Sequence, residues 1–151
     1  MSKTKLKGFT LIELLIVIGL IAVLAGAIII VLNPARQFAQ ARNSERWSHL
    51  SALMSNIQTN VAENRGTFSC AAGIVPSSTT ALSSTGGYDI CGCLVPTYVA
   101  AMPNDPSAVG SHYTDCTDYN AGYTISRNGT TGRMTLSAPG AELGATIGIT
   151  Q

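Results

Sequence analysis

A single carboxylate lies inside the most apolar stretch of the chain. The 24 residues from Phe9 to Leu32 include one charged residue, Glu13. An ionised carboxylate at the centre of a membrane costs about 2.5–3.5 kcal/mol on insertion scales. Opposite charges attract strongly in apolar surroundings, where each alone is costly to desolvate. Glu13 therefore requires a cationic partner, and a plain membrane anchor would leave this residue unexplained.

Four cysteines are the second set of residues that could do chemistry. Cys70, Cys91, Cys93 and Cys116 all follow the apolar run, and an even number of cysteines in an exported domain predicts disulfides. Cys91 and Cys93 are too close in sequence to pair comfortably with each other. Two sets remain: 70–91 with 93–116, which we prefer, and 70–93 with 91–116. A four-thiolate zinc site is the alternative, although the chain has no C-x-x-C pair.

Little else in the chain suits catalysis or metal binding. The two histidines are His49 and His112, and no nucleophile motif or Gly-rich phosphate loop accompanies them. Asp105, Asp115 and Asp118 are candidate calcium ligands, but the default for such residues is a set of solvated surface acids. We therefore expect no enzyme activity, no metal and no cofactor.

The charge distribution predicts a chain that crosses a membrane. The formal net charge of +1 is too small for a basic face that binds nucleic acid, so no nucleic-acid partner is expected. As a helix, the apolar run would span about 36 Å, and a hydrocarbon core is about 30 Å thick. Lys3, Lys5 and Lys7 precede the run, which places the N-terminus in the cytoplasm.

A cleaved secretory signal peptide is a competing interpretation of the same run. Ala25-Gly26-Ala27 resembles a small-x-small cleavage site. However, the letters IIIVL follow at once, so cleavage there would leave an apolar N-terminus. The charge of Glu13 also argues against a secretory signal.

The stretch KGFTLIELL, from Lys7 to Leu15, resembles the class III signal of type IV pilins and of the pseudopilins of type II secretion. The family pattern is a short basic leader that ends in glycine, followed by Phe-Thr-Leu-Ile-Glu and a long apolar stretch. The resemblance implies that a prepilin peptidase cuts between Gly8 and Phe9. It also implies N-methylation of the new N-terminus at Phe9.

The resemblance further implies a role for Glu13 in assembly. In the family, this glutamate is thought to pair with the N-terminal amine of a neighbouring subunit. Cleavage would create that cation four residues before Glu13, so the pairing is physically reasonable. Pairing within one helix, between positions i and i+4, is the alternative that the sequence leaves open.

The elements that position these residues form an α+β fold. We divide the chain into a cleaved leader (1–8), a hydrophobic helix (9–34), an amphipathic helix (35–65) and a small extracytoplasmic β-rich domain (66–151). Pro34 lacks an amide hydrogen and predicts a kink or a looser turn around residues 30–34 of one long helix. The apolar stripe of the amphipathic part consists of Trp47, Leu50, Met54, Ile57 and Val61, with Leu53 beside it.

The outer domain is predicted to hold about three antiparallel strands, over 123–126, 134–138 and 145–149. The pair Asn128-Gly129 predicts a turn between the first two strands. Residues 66–86 are rich in Gly, Ser, Thr and Pro and predict a loop. The segment Pro103-Asn104-Asp105-Pro106 resembles the Pro-x-Asp-Pro turn of the major pseudopilins.

These observations favour a structural subunit of a type IV pilus-like filament. Its expected partners are copies of itself, the prepilin peptidase, the inner-membrane assembly machinery and, before assembly, the lipid bilayer. It would lie in the inner membrane before assembly and in an extracellular filament, or a periplasmic pseudopilus, afterwards. A type II secretion pseudopilin is the first alternative. A membrane-anchored binding domain that never polymerises is the second.

Overall fold

The computed structural model describes residues 8–151, except for the side chains of residues 30–32. The predicted leader therefore lies outside the described residues, apart from Gly8. Residues 39–151 form one compact unit, and the residues up to Phe38 form a separate one.

Two helices make up the N-terminal part of the chain. Helix α1 spans Leu11–Leu32, helix α2 spans Pro34–Glu63, and Asn33 lies between them in a left-handed conformation with φ of 42°. The Asn33 Oδ1 accepts a hydrogen bond from the backbone N–H of Arg36 at 3.3 Å. Proline suits the first position of a helix, where its missing N–H is not needed. The interruption therefore falls within the predicted range 30–34, and Pro34 is the first residue of a second helix.

A five-stranded antiparallel sheet forms the rest of the compact unit. The strands are β1 (Thr80–Ser83), β2 (His112–Asp115), β3 (Asp118–Arg127), β4 (Met134–Ser137) and β5 (Gly148–Thr150), and a short helix α3 (Cys91–Leu94) lies between β1 and β2. The α+β fold class is confirmed, but the estimate of about three strands was too low. Strand β1 lies inside the segment predicted to be a loop. With four residues each, β1 and β2 are too short to show a clear alternation.

Strand β3 is the centre of the sheet. Asn120 pairs with both β1 and β2, and Thr124 pairs with both β1 and β4. Strands β2 and β4 therefore share one edge of β3, at its two ends. The Pro-x-Asp-Pro turn fills the space between them, because the Asp105 backbone N–H donates to the Ala121 carbonyl at 2.8 Å.

The hairpin between β3 and β4 has a longer turn than the Asn-Gly pair predicted. The Asn128 Oδ1 accepts hydrogen bonds from the backbone N–H groups of Thr130 and Thr131, both at 2.9 Å. The left-handed glycine of this turn is Gly132, with φ of 73°, and not Gly129. A side chain at Gly132 would be strained, whereas one at Gly129 would meet no steric obstacle.

The core lies between α2 and the sheet. Leu50, Leu53, Met54 and Ile57 of α2 are fully buried in one cluster with apolar side chains of the strands. The predicted stripe is correct for these residues and wrong at its first member, because Trp47 is 45% exposed. Arg46 takes the inward position instead, one residue earlier, at the helical spacing of 4 from Leu50.

Candidate assembly site

Thr10 and Glu13 form a capping box at the start of α1. Thr10 is the N-cap residue, and its Oγ1 accepts a hydrogen bond from the Glu13 backbone N–H at 3.3 Å. In return, the Glu13 Oε2 accepts hydrogen bonds from the Thr10 backbone N–H and from the Thr10 Oγ1, both at 2.8 Å. Such boxes satisfy the free N–H groups of a helix start. Glu13 is therefore already hydrogen-bonded within its own chain.

The capping box leaves part of the Glu13 carboxylate open. Among residues 8–151, only Oε2 of this side chain has a hydrogen-bond partner, and Oε1 has none. Gly8 and Phe9 are exposed just before the box, and Phe9 is 84% exposed. The Gly8–Phe9 peptide bond is thus accessible, and cutting it would create an amine one residue before Thr10. The carboxylate therefore has one oxygen, Oε1, without a partner among the described residues.

Helix α1 presents apolar side chains on all sides. The segment Leu11–Ile29 has a mean hydropathy of 2.9, and none of it is buried by the described residues. Its 19 residues would span about 28 Å as a helix, close to the thickness of a hydrocarbon core. A secretory signal meets the same criteria of length and composition. A helix that is apolar all round needs lipid or other helices around it.

The four cysteines form two disulfides, Cys70–Cys93 and Cys91–Cys116. This is the second of the two sets that the sequence left open, so our preference for 70–91 with 93–116 was wrong. Helix α3 directs the two neighbouring cysteines to different partners. Residues two apart on a helix are about 200° apart around its axis, so Cys91 and Cys93 point to different sides. Cys91 is buried and Cys93 is only partly buried.

Arg46 is the centre of a buried charge network that joins α2 to two loops. Its Nε and Nη2 donate to the two carboxylate oxygens of Asp105, at 2.7 and 2.9 Å. The side chains of both residues are fully buried. Nη2 also donates to the Ser107 Oγ at 2.7 Å, and Nη1 donates to Asn43 at 2.8 Å and to Glu142 at 3.0 Å. All five N–H groups of the guanidinium therefore have an acceptor.

Glu142 and Asn43 extend this network to the surface. Arg42 forms a second, two-bond contact with Glu142, at 2.6 and 2.7 Å. These hydrogen bonds from Arg42, and then those from Arg46, lower the pKa of Glu142 to about 2. The amide of Asn43 binds both the backbone carbonyl and the backbone N–H of Glu142.

The buried carboxyl of Asp105 keeps its charge for a similar reason. Burial by itself raises the pKa of Asp105. Hydrogen bonds from Arg46 and from the backbone N–H groups of Ser107 and Ala108 outweigh this effect, so the pKa lies below its ordinary value. Asp105 is therefore an ionised partner of Arg46.

The three aspartates that were candidate calcium ligands have other partners. Asp105 binds Arg46, as described above. The Asp115 Oδ1 accepts from the backbone N–H and the hydroxyl of Thr117, both at 2.7 Å, and the Asp118 Oδ1 lies 3.0 Å from the Nε2 of His112. Within residues 8–151, no three His, Cys, Asp or Glu side chains form a group suited to a metal ion.

Sequence reasoning missed the network around Arg46. Arg46 was not singled out, and Asp105 was considered only as part of a turn motif and as a candidate calcium ligand. The available signal was the position of Arg46, which continues the spacing of 3 and 4 through Leu50, Leu53 and Ile57. A charged residue in register with a core stripe predicts a buried partner of opposite charge.

Comparison with known proteins supports the interpretation of the N-terminal segment. Residues 3–29 match the family model described as the prokaryotic N-terminal methylation motif. No curated protein and no solved structure matches the chain. The match covers the exposed Gly8–Phe9 peptide bond, the capping box and most of α1. The chain therefore carries, at residues 3–29, the class III signal found in type IV pilins and pseudopilins.

Proposed function

We propose that this chain is the structural subunit of a type IV pilus-like filament. It waits in the inner membrane with its N-terminus in the cytoplasm, a prepilin peptidase cuts it between Gly8 and Phe9, and Phe9 is N-methylated. The inner-membrane assembly machinery then polymerises the mature chain through α1. The observation that carries this proposal is the methylation motif on an apolar helix that nothing in the described residues covers.

The geometry of Glu13 supports a role in assembly beyond the helix cap. Its Oε2 caps its own helix through Thr10, and its Oε1 remains free to accept from the amine of a neighbouring copy. Contact with that amine would offset the cost of keeping a carboxylate in apolar surroundings. A helix that enters the filament core out of register would leave both charges unpaired.

The variant Glu13→Val tests whether Glu13 is needed for filament assembly and not for membrane insertion or folding. Membrane insertion should be as good as in the wild type or better, because the substitution removes a carboxylate from the apolar segment. Fibres should be lost or sparse, because the amine at Phe9 would have no carboxylate to meet. The measurement is fibre yield relative to the membrane pool, at matched expression.

Thr10→Ala is the matched control for the cap. It removes the hydroxyl from the capping box but leaves the Glu13 carboxylate in place, at a cost of about 1 kcal/mol for the helix start. We expect fibres from Thr10→Ala and few from Glu13→Val, with Glu13→Gln intermediate at best. Equal fibre loss in Thr10→Ala and Glu13→Val would mean that the glutamate acts only as a cap. Normal fibres from Glu13→Val would exclude the pairing.

Processing gives a second test of the same proposal. Mass spectrometry of assembled material should find a mature chain that begins at N-methylated Phe9. Gly8→Val should block maturation, because the motif places the cut directly after this glycine. A mature chain that begins near Ala27 would instead indicate a secretory signal.

A pseudopilin of type II secretion is the second candidate, and the Pro-x-Asp-Pro turn favours it. Asp105 of this turn is 2% exposed and bound by Arg46, so the turn is an integral part of the fold. A pseudopilin would form short periplasmic filaments, and its deletion would stop protein secretion. Imaging of sheared surface fibres separates the two functions. A chain that is processed but found only in the membrane would be an anchored binding domain.

A further inference from the structure

A half-open groove lies beside the turn between β3 and β4. Its volume is about 480 Å³, and its apolar lining includes Val61, Phe68, Ile74, Val75 and Met134. Ile74 is 77% exposed, although it belongs to this apolar lining. Val75 and Met134 are buried in the core, so Ile74 is the strongly exposed apolar side chain of this groove.

Two arginines also line this groove, among further polar residues that include Gln58, Thr67 and Gln151. Arg127 ends β3 and Arg133 precedes β4, so they lie on either side of one turn. They are the only lysine or arginine residues from position 66 onward. Neither forms an ion pair with any residue in the range 8–151. This end of the sheet therefore carries positive charge without a partner in the described chain.

The opposite end of β3 carries negative charge. Asp118 begins β3, and Asp115 lies across the turn from it; both side chains are exposed. Among residues 8–151, the one basic side chain paired with these two aspartates is His112, which contacts Asp118 and is charged only when protonated. Nine residue steps separate Asp118 from Arg127, which corresponds to about 30 Å along the strand. The acidic turn of one molecule therefore cannot reach the groove of the same molecule.

We propose that the groove receives the acidic turn of a second copy of this chain. The turn at Asp115–Asp118 of one copy would face Arg127 and Arg133 of the next. Complementary charge on two ends of one strand favours this occupant, because the chain itself supplies both halves of the contact. The inference rests on the proposed function, since it describes how the compact units of neighbouring subunits contact each other in a filament.

This contact joins two different surfaces, so it is heterologous. Heterologous contacts that do not close into a ring generate open helical assemblies. The electrostatic contact would fix the direction in which outer units follow one another, while α1 supplies the apolar attachment. Added salt should weaken the contact, because both charged groups are at the surface.

Two charge-reversed chains test the contact. In the first, Arg127→Glu with Arg133→Glu makes both ends acidic. In the second, Thr114→Lys with Asp118→Lys makes both ends basic and keeps Asp115, which caps the turn. Each chain alone should give a fibre yield at least about tenfold below wild type, because like charges would meet. Arg127→Lys with Arg133→Lys keeps the charge and should assemble normally.

Co-expression of the two reversed chains is the decisive measurement. In a mixed fibre, every acidic end can meet a basic end if the two chains alternate, so the yield should return to near wild type. Normal fibres from either reversed chain alone, or no recovery in the mixture, would overturn the contact. Absence of fibres from the wild type would instead overturn the proposed function, and the contact with it.

Photocrosslinking keeps the test valid if a reversed chain fails to fold. A benzoylphenylalanine at Thr131, on the turn of the groove, should crosslink in wild-type fibres to a peptide that contains residues 112–118 of a neighbour. The same probe at Thr59, on the exposed face of α2, should not label that peptide. A crosslink from Thr131 only to another segment, or to another protein, would overturn the assignment.

Discussion

The guanidinium of Arg46 is stable in the interior only as part of its pair with Asp105. Removing one member of a buried pair leaves an uncompensated charge, which costs about 3–5 kcal/mol. We expect Arg46→Met to lower the free energy of unfolding by this amount. In Arg46→Met with Asp105→Asn, the remaining side chain is neutral and still accepts from the backbone of the turn, so the loss should be smaller. Denaturant unfolding of these two variants and of Asp105→Asn alone measures the coupling, and additive losses would contradict it.

Glu142 gives the network a pH dependence. Its pKa falls from the ordinary 4.5 to about 2 in the folded chain, because of the hydrogen bonds from Arg42 and Arg46. A carboxyl with a lowered pKa stabilises the fold fully above its ordinary pKa and loses this contribution as pH falls through the folded value. The thermal midpoint should therefore fall between about pH 4.5 and pH 2, and Glu142→Gln should reduce that slope.

Glu45→Gln is the control for this titration. Glu45 lies on the same helix, but its carboxylate contacts neither Arg42 nor Arg46; it lies 3.9 Å from the Nε2 of His49, and its side chain is about half exposed. The acid slope of Glu45→Gln should match that of the wild type. Equal slopes in the wild type and in Glu142→Gln would show that Asp105 or other carboxyls carry the acid sensitivity.

At the scale of elements, α3 is held from two sides by disulfides. Replacing Cys70 and Cys93 together with serine removes one closed loop, whose ends are 23 residues apart, and should cost about 2–5 kcal/mol. The exported variant should still contain no free thiol, because Cys91 and Cys116 remain paired. Replacing Cys70 and Cys91 together with serine instead removes one member of each disulfide. Thiol labelling should then find Cys93 and Cys116 free.

The sequence predicts those elements whose pattern is local and long. The core stripe of α2 from Leu50 onward and the hairpin of β3 with β4 could be read from their periodicity. Strand β1 could not be predicted, because four residues within a Ser/Thr-rich stretch show no alternation of apolar and polar side chains. The bounds of β1 depend on its pairing with β3. The disulfide pairing depends on the orientation of α3, and a four-residue helix leaves no trace in the pattern.

The candidate site was predictable to a different degree. Gly8, Phe9 and Glu13 were found because their spacing forms a specific motif. The capping role of Thr10 follows from the pattern Thr-x-x-Glu before an apolar run. The sequence contains this signal, but Glu13 was interpreted only as part of the class III signal. The pair of Arg46 with Asp105 depends on a contact between residues 59 positions apart, which no local pattern shows.

At the scale of the whole molecule, the compact unit of residues 39–151 has its own core. Every buried apolar side chain among the described residues lies within 39–151. We therefore expect a fragment of residues 35–151, expressed with export to an oxidising compartment, to fold as a soluble monomer. Size-exclusion chromatography and a cooperative thermal transition would measure this. Aggregation, or a transition that is not cooperative, would show that the compact unit requires α1 in order to fold.

The two disulfides meet at neighbouring positions of α3, and this matters for a molecule under tension. Between Cys70 and Cys116 the backbone has 46 residue steps, about 160 Å when fully extended. The bridges offer a shorter path through Cys93, Gly92 and Cys91: two Cα–Cα crossings of 5.2 and 5.3 Å and two residue steps, about 18 Å in all. A pulling force therefore cannot lengthen this part of the compact unit appreciably until a disulfide or another covalent bond breaks. With both disulfides formed, the segment between Cys70 and Cys116 resists extension. After reduction of the disulfides, the same segment could unfold and extend under force.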